Sequence, residues 1–106
     1  METNIGRSIG PLVTTAYLQL TRVPWDQNGS RSASLERWGN YEVRLVEILP
    51  VAHGRFPLLW VEIHDIAGQT SVDSFGCDDL EAAILAAERA IAQARKLAEE
   101  KGSTRT

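Results

Sequence analysis

One cysteine, Cys77, stands in 106 residues. A lone thiol closes no internal disulfide, so the fold has to hold without covalent staples, as cytosolic domains do. No apolar run approaches the roughly 20 residues that a membrane-spanning helix needs. The first residues, Met1-Glu2-Thr3-Asn4, lack the basic stretch followed by an apolar one that marks a secretory leader. A cytoplasmic protein without membrane association is therefore expected. Basic excess is missing too: eleven Lys and Arg against fourteen Asp and Glu leave a net charge of −3 and a pI near 5.3. That balance argues against a chain held to nucleic acid by phosphate neutralisation. Asn28-Gly29-Ser30 has the form of a glycosylation acceptor, but without a secretory route it reads as a turn.

The signatures of chemistry are equally sparse. Gly6 and Gly10 lack the third glycine, the lysine and the following helix of a phosphate-cradling loop, and no G-x-S-x-G, HExxH or EF-hand pattern occurs. No cofactor is expected. His53, His64 and Cys77 are the soft metal ligands, with Asp65, Asp73, Asp78 and Asp79 able to complete a site, but none has ligand spacing. His64 and Asp65, being adjacent on a strand, point to opposite faces and cannot converge on one ion.

What is present is an ordinary globular composition, 43% hydrophobic and 24% charged, read as one domain over 1–106 with 1–11 and 101–106 flexible. Charge is uneven: residues 1–40 hold four basic and three acidic groups, 41–76 two and five, and 77–106 five and six. The middle segment, read as sheet, thus carries most of the negative excess.

Leu12 to Leu20, with Val13, Thr14, Thr15 and Tyr17, is rich in β-branched and aromatic residues and is expected to be a strand. Trp25 to Asn40 is polar and turn-forming, a long loop or the lead-in to the next strand. Tyr41 to Leu45 alternates apolar and polar. Val46 and Ile48 then fall on the face of Glu42 and Arg44, which suggests a bulge or a strand buried on both sides. A connection from Pro50 to Pro57 containing Gly54 follows. In Leu58 to Ile66, Leu59, Val61 and Ile63 point one way and Trp60, Glu62 and His64 the other. Ala67-Gly68-Gln69 makes a turn, and Thr70 to Phe75 supplies a hairpin partner.

From Asp79 to about Glu100 the period becomes helical, with Leu80, Ala83, Ile84, Ala87, Ile91, Ala94 and Leu97 or Ala98 in one stripe. Asp78 is expected as N-cap with Glu81 reaching back, and Lys101-Gly102 as the stop. The fold class is α+β: an antiparallel sheet of three or four strands with one long C-terminal helix on one face.

The other sheet face then has no evident cover. It would present Trp60, Glu62 and His64 on one strand and Val46 and Ile48 on the next, more contiguous apolar surface than a monomer usually leaves open. These five residues are the expected interface. The cover could be the N-terminal segment with Ile5 and Ile9, a second copy as a homodimer, or another protein. A small-molecule site around Trp60, Glu62 and His64 is an alternative, with His64 stacked beside Trp60. Glu42 and Glu62 could face each other across strands, but Arg44 on the same face makes an ordinary charge arrangement of all three. A single-stranded nucleic-acid surface could use Trp25 and Trp38 with Arg22, Arg31 and Arg37; the simpler expectation is that the tryptophans anchor a loop. Cys77, before the helix N-terminus, is a possible reactive thiol, opposed by its anionic neighbours Asp78 and Asp79.

The run Val72-Asp73-Ser74-Phe75-Gly76-Cys77-Asp78-Asp79-Leu80-Glu81-Ala82-Ala83, continuing to Ala90-Ile91, resembles the strand-to-helix junction of HicB-type antitoxins. It is also similar to short bacterial proteins with a sheet followed by one alanine-rich helix. The resemblance covers roughly residues 41 to 95 in layout and about ten in motif. It implies strands, a Gly-Cys corner and a helix, and a partner-binding or antitoxin-like role. The family's extra residues between corner and helix, and its C-terminal DNA-binding segment, have no counterpart in this sequence. Most of the observations point to a non-enzymatic domain that binds protein, itself or another.

Overall fold

A computed structural model describes residues 3–49 and 59–104, without the side chains of 3–8 and 101–104. Six elements follow in order: α1 (Thr3–Leu20), β1 (Ser30–Trp38), β2 (Tyr41–Ile48), β3 (Leu59–Asp65), β4 (Thr70–Cys77) and α2 (Leu80–Thr104). The connection Pro50 to Pro57, with His53 and Gly54, lies outside the described residues, as does the Ile5 side chain. The strands form one antiparallel sheet in the order β1-β2-β3-β4. Both helices pack on the same face of it, and the fold is α+β.

The expected strand from Leu12 to Leu20 is instead the C-terminal half of α1. Ile9, Val13, Ala16 and Leu20 are buried at spacings of four, three and four, a helical stripe that fits the groove beside α2 and over β1. Packing of that stripe overrides the β-branched propensity of Val13, Thr14 and Thr15. Locally α1 is a weak helix. Pro11 lies inside it and supplies no amide, Gly10 precedes it, and the Thr14 hydroxyl donates to the Gly10 carbonyl at 2.9 Å.

The polar stretch from Trp25 to Asn40 contains a turn and an edge strand. The Asp26 carboxylate accepts from the Asn28 amide at 2.8 Å and from the Ser30 amide and hydroxyl at 3.0 Å. Those hydrogen bonds, led by the Ser30 amide, hold its carboxyl below the usual range. β1 then runs to a two-residue turn in which Gly39 takes the left-handed conformation, φ +61°. Leu35 is the extra residue of a bulge opposite Val43. β2 is regular against β3 throughout, so the expected bulge near Val46 is absent and lies in β1 instead. The far turns are tied together. Asn40 donates to Asp65 and accepts from the Ala67 amide at 3.0 Å, while the Gly68 amide donates to Asp65 at 3.1 Å.

Tyr41, Val43, Leu45, Leu59, Val61 and Ile63 form the inner face of the two central strands, all buried. Against them α2 sets Ala83, Ala87, Ala90, Ile91 and Ala94, likewise buried, with Leu80, Ile84, Leu97 and Ala98 at the margins. Small side chains let helix and sheet approach closely. The helix begins one residue later than expected: Asp79, not Asp78, caps it, its carboxylate accepting from the Ala82 amide at 2.8 Å and its carbonyl from the Ala83 amide at 3.0 Å. Gly102 does not stop it, because helical backbone continues to Thr104.

Two stability measurements follow. Gly10 stands directly before Pro11 inside α1, where an added Cβ meets the proline ring, so Gly10→Ala should forfeit most of the usual glycine-to-alanine gain and stay within about 0.5 kcal/mol of the parent in a denaturant titration. Asp79→Ala should cost about 1 kcal/mol, while Asp78→Ala stays within about 0.5 kcal/mol of the parent.

Candidate interaction face

Strand alternation carries the inner face's residues one step over to the outer face. With Val43, Leu45, Val61 and Ile63 buried under the helices, Glu42, Arg44, Val46 and Ile48 of β2 and Trp60, Glu62 and His64 of β3 stand on the other side. Register pairs them as Val46 with Trp60, Arg44 with Glu62, and Glu42 with His64. All seven are half-buried, and among the described residues no helix or strand lies across them. The expected cover by the N-terminal segment is not what forms, since Ile9 is buried with α1 on the opposite face.

The outer strands add little height. On β1, Ser30, Ser32 and Ser34 lie opposite Ile48, Val46 and Arg44; on β4, Ser74 and Gly76 lie opposite Glu62 and Trp60. Large side chains on the central strands and small ones beside them leave a shallow open depression of about 260 Å³ lined by Val46, Ile48, Trp60, Glu62 and Ser74. Four of the five expected interface residues line it, and His64 stands two positions along β3 from Glu62. The serines were not among the expected residues, although their period of two, Ser30-Arg31-Ser32-Ala33-Ser34, is a strand signal.

At the polar end, Arg44 Nε donates to Glu42 at 2.8 Å. Burial opposes ionisation of Glu42, yet hydrogen bonds from Arg44 and Ser34, with the Arg44 and His64 charges, hold its carboxyl below the usual range. Glu42 and Glu62 do not face each other. They are diagonal, because Glu42 is opposite His64 and Glu62 opposite Arg44. His64 does not stack on Trp60 either, being four residues along the same strand and therefore about 13 Å away. By register Arg37 is opposite Glu42, so with the imidazole of His64 set apart the charged groups of the face are Arg37, Arg44, Glu42 and Glu62, two of each sign. The sheet as a whole is acidic, with three arginines against six carboxylates. Its excess sits elsewhere, on Glu36, Glu47, Asp65 and Asp73.

The expected nucleic-acid residues do not assemble into one surface. Arg31 lies 3.9 Å over the Trp25 ring, donates to the Val23 carbonyl at 3.0 Å and pairs with Glu47 at 2.9 Å. Trp38 packs against the core beneath Arg95, whose guanidinium is 4.7 Å from the ring centroid. Arg37 Nε donates to the Gly39 carbonyl at 3.3 Å, and Arg22 is exposed near the end of α1. Among the described residues no three His, Cys, Asp or Glu side chains converge on a possible metal position. No helix among them is long and apolar enough to cross a membrane.

Cys77 ends β4 with 2% of its surface exposed, and its thiol donates to the Phe75 carbonyl at 3.4 Å. Burial pushes its pKa up from 9.0, the Val61 backbone opposes this, and the Asp78 and Asp79 charges add to the rise. The helix N-terminus does not reverse that balance. Alkylation should therefore be slow in the folded protein and become rapid on denaturation. The same burial sets a pH dependence. Above pH 9.0 the unfolded thiol loses its proton while the folded one keeps it, so stability falls with rising pH. The stability advantage of the parent over Cys77→Ala should shrink through that range in parallel melts.

Comparison with protein-family models, with curated proteins and with solved structures finds no match for this chain.

Proposed function

We propose that this is a non-enzymatic protein-interaction domain whose docking surface is the open face of its sheet. The observation that carries the proposal is the half-buried trio Val46, Ile48 and Trp60 on a face that no described element covers. Apolar groups in such a patch gain roughly 25 cal/mol for each Å² removed from water. The surface character selects the partner class. Two arginines balanced by two glutamates give phosphate no net attraction, so a nucleic-acid role gains nothing from this face. The depression of about 260 Å³ is shallow and open, below the roughly 300–1,000 Å³ of pockets that enclose a small ligand. Its lining, an indole beside Glu62 and Ser74, is the one feature that favours a small-molecule site as a second reading. A broad, low, electroneutral patch with one large aromatic fits a protein surface.

An antitoxin-like role, suggested by the Gly76-Cys77 junction, is a special case of the same proposal with a toxin protein as partner. A cytosolic setting fits the lone reduced thiol.

Thiol accessibility tests the proposal. Val46→Cys, probed with a maleimide at low micromolar protein, should label within about tenfold of a free thiol, while buried Cys77 serves as the slow control in the same chain. Labelling of the introduced thiol as slow as that of Cys77 would show that the chain covers the face itself, and would overturn the docking surface.

A further inference from the structure

The sheet offers three places for a partner: its two edges and its open face. Both edges are blunted. β1 carries the charged side chains Arg31, Glu36 and Arg37 and bulges at Leu35. β4 bulges at Val72, and its Ser74 amide is already bound by the Asp73 carboxylate at 2.9 Å, with Gln93 of α2 at 3.5 Å from the other carboxylate oxygen. Bulges and edge charges are what proteins use against strand-to-strand association. The open face is therefore the surface that no helix or strand among the described residues blocks, and its register pairs constrain what fits it.

A twofold axis lying in the interface, parallel to β2 and β3 and midway between them, exchanges the two strands while keeping position along them. It sets each β2 residue of one copy over the β3 register partner of the other. The observed pairs then become contacts between copies: Val46 over Trp60, Arg44 over Glu62 and Glu42 over His64, each occurring twice. Apolar meets apolar at one end, and a cation meets a carboxylate at the other. The low outer strands, with Ser30, Ser32, Ser34, Ser74 and Gly76, leave room for two central ridges to approach as in an aligned sandwich about 10 Å deep.

We infer that the occupant of the open face is a second copy of this chain, packed face to face about that axis. The inference rests on the docking surface proposed above and commits it to one partner. Four strands about 4.8 Å apart and roughly 25 Å long give a footprint of roughly 400 Å² per copy, about half that of a standard interface. An interface of that size belongs to the weak, transient class.

Sedimentation equilibrium of the full chain from about 1 µM to about 1 mM should show the average mass climbing from one chain toward two. Arg44→Glu makes every facing charge pair at this row acidic, and Glu62→Arg makes it basic, so each variant alone should self-associate at least about tenfold more weakly than the parent. Mixed in equal amounts, the two should associate at least as well as the parent, because one copy then presents only carboxylates to the other's guanidiniums. Thermal melts establish that each variant is folded. Val46→Lys, at a half-buried position outside the core, provides a second disruption should either charge variant fail to fold, and it too should abolish the dimer.

A parent that keeps the mass of one chain up to about 1 mM overturns the copy-on-copy arrangement. So does a dimer that both charge variants, or Val46→Lys in their place, leave intact, or a mixture no tighter than its components. Rapid labelling of Val46→Cys in a strict monomer would leave the docking surface standing and remove only the second copy as its occupant. Slow labelling in dilute protein would remove the surface itself.

Discussion

The period of two along β2 and β3 is the constraint on which the rest depends. Burying Val43, Leu45, Val61 and Ile63 beneath the helices forces their neighbours to the other side. A slip of one residue would drive Glu42, Arg44 and Glu62 into the apolar core at a cost of several kcal/mol per unpaired charge. The sheet therefore cannot hide Val46, Ile48 and Trp60 by changing register. Their place on the outer face follows from the core itself, and no helix or strand among the described residues lies across them there.

The choice of alanine for the α2 stripe has a second consequence. Ala83, Ala87, Ala90 and Ala94 bring the helix down onto β2 and β3, leaving a groove beside it over β1. α1 fills that groove with Ile9, Val13, Ala16 and Leu20. With two glycines and a proline inside it, α1 would not be stable alone, and it forms because the groove rewards a helical stripe. Local propensity and tertiary packing disagree over residues 12–20, and packing wins.

That disagreement explains where the sequence was legible. β2, β3, β4 and α2 each combine the right periodicity with agreeing propensity and clear punctuation, and all four form close to their expected bounds. Over α1 the propensities of Val13, Thr14 and Thr15 favour a strand, and the helical stripe is unambiguous only once Ile9 is counted with it. β1 reads as loop in sequence because its outward residues Ser30, Ser32 and Ser34 are serines and its one buried side chain, Leu35, sits in a bulge that breaks the alternation. At the candidate face, alternation placed Val46, Ile48, Trp60, Glu62 and His64 together. It could not supply register, so the diagonal placement of Glu42 and Glu62, and the separation of His64 from Trp60, needed the pairing itself.

Register also relocates the charge. A net −3, and an acidic sheet, suggest a surface that repels its own copies. The carboxylates in excess are turned away from the open face or spent locally: Glu47 on Arg31, Asp65 on the turns, Asp73 on the β4 edge and Gln93. Arg37, Arg44, Glu42 and Glu62 remain, summing to zero. Between two approaching copies the distant excess is screened beyond about 8 Å at physiological salt, whereas the facing pairs act at contact. The acidity of the chain thus keeps separate molecules soluble at long range without opposing the approach of two open faces at short range. Salt should act on the two ends of the face in opposite senses, weakening the Arg44–Glu62 row while leaving the Trp60 end unaffected or strengthened.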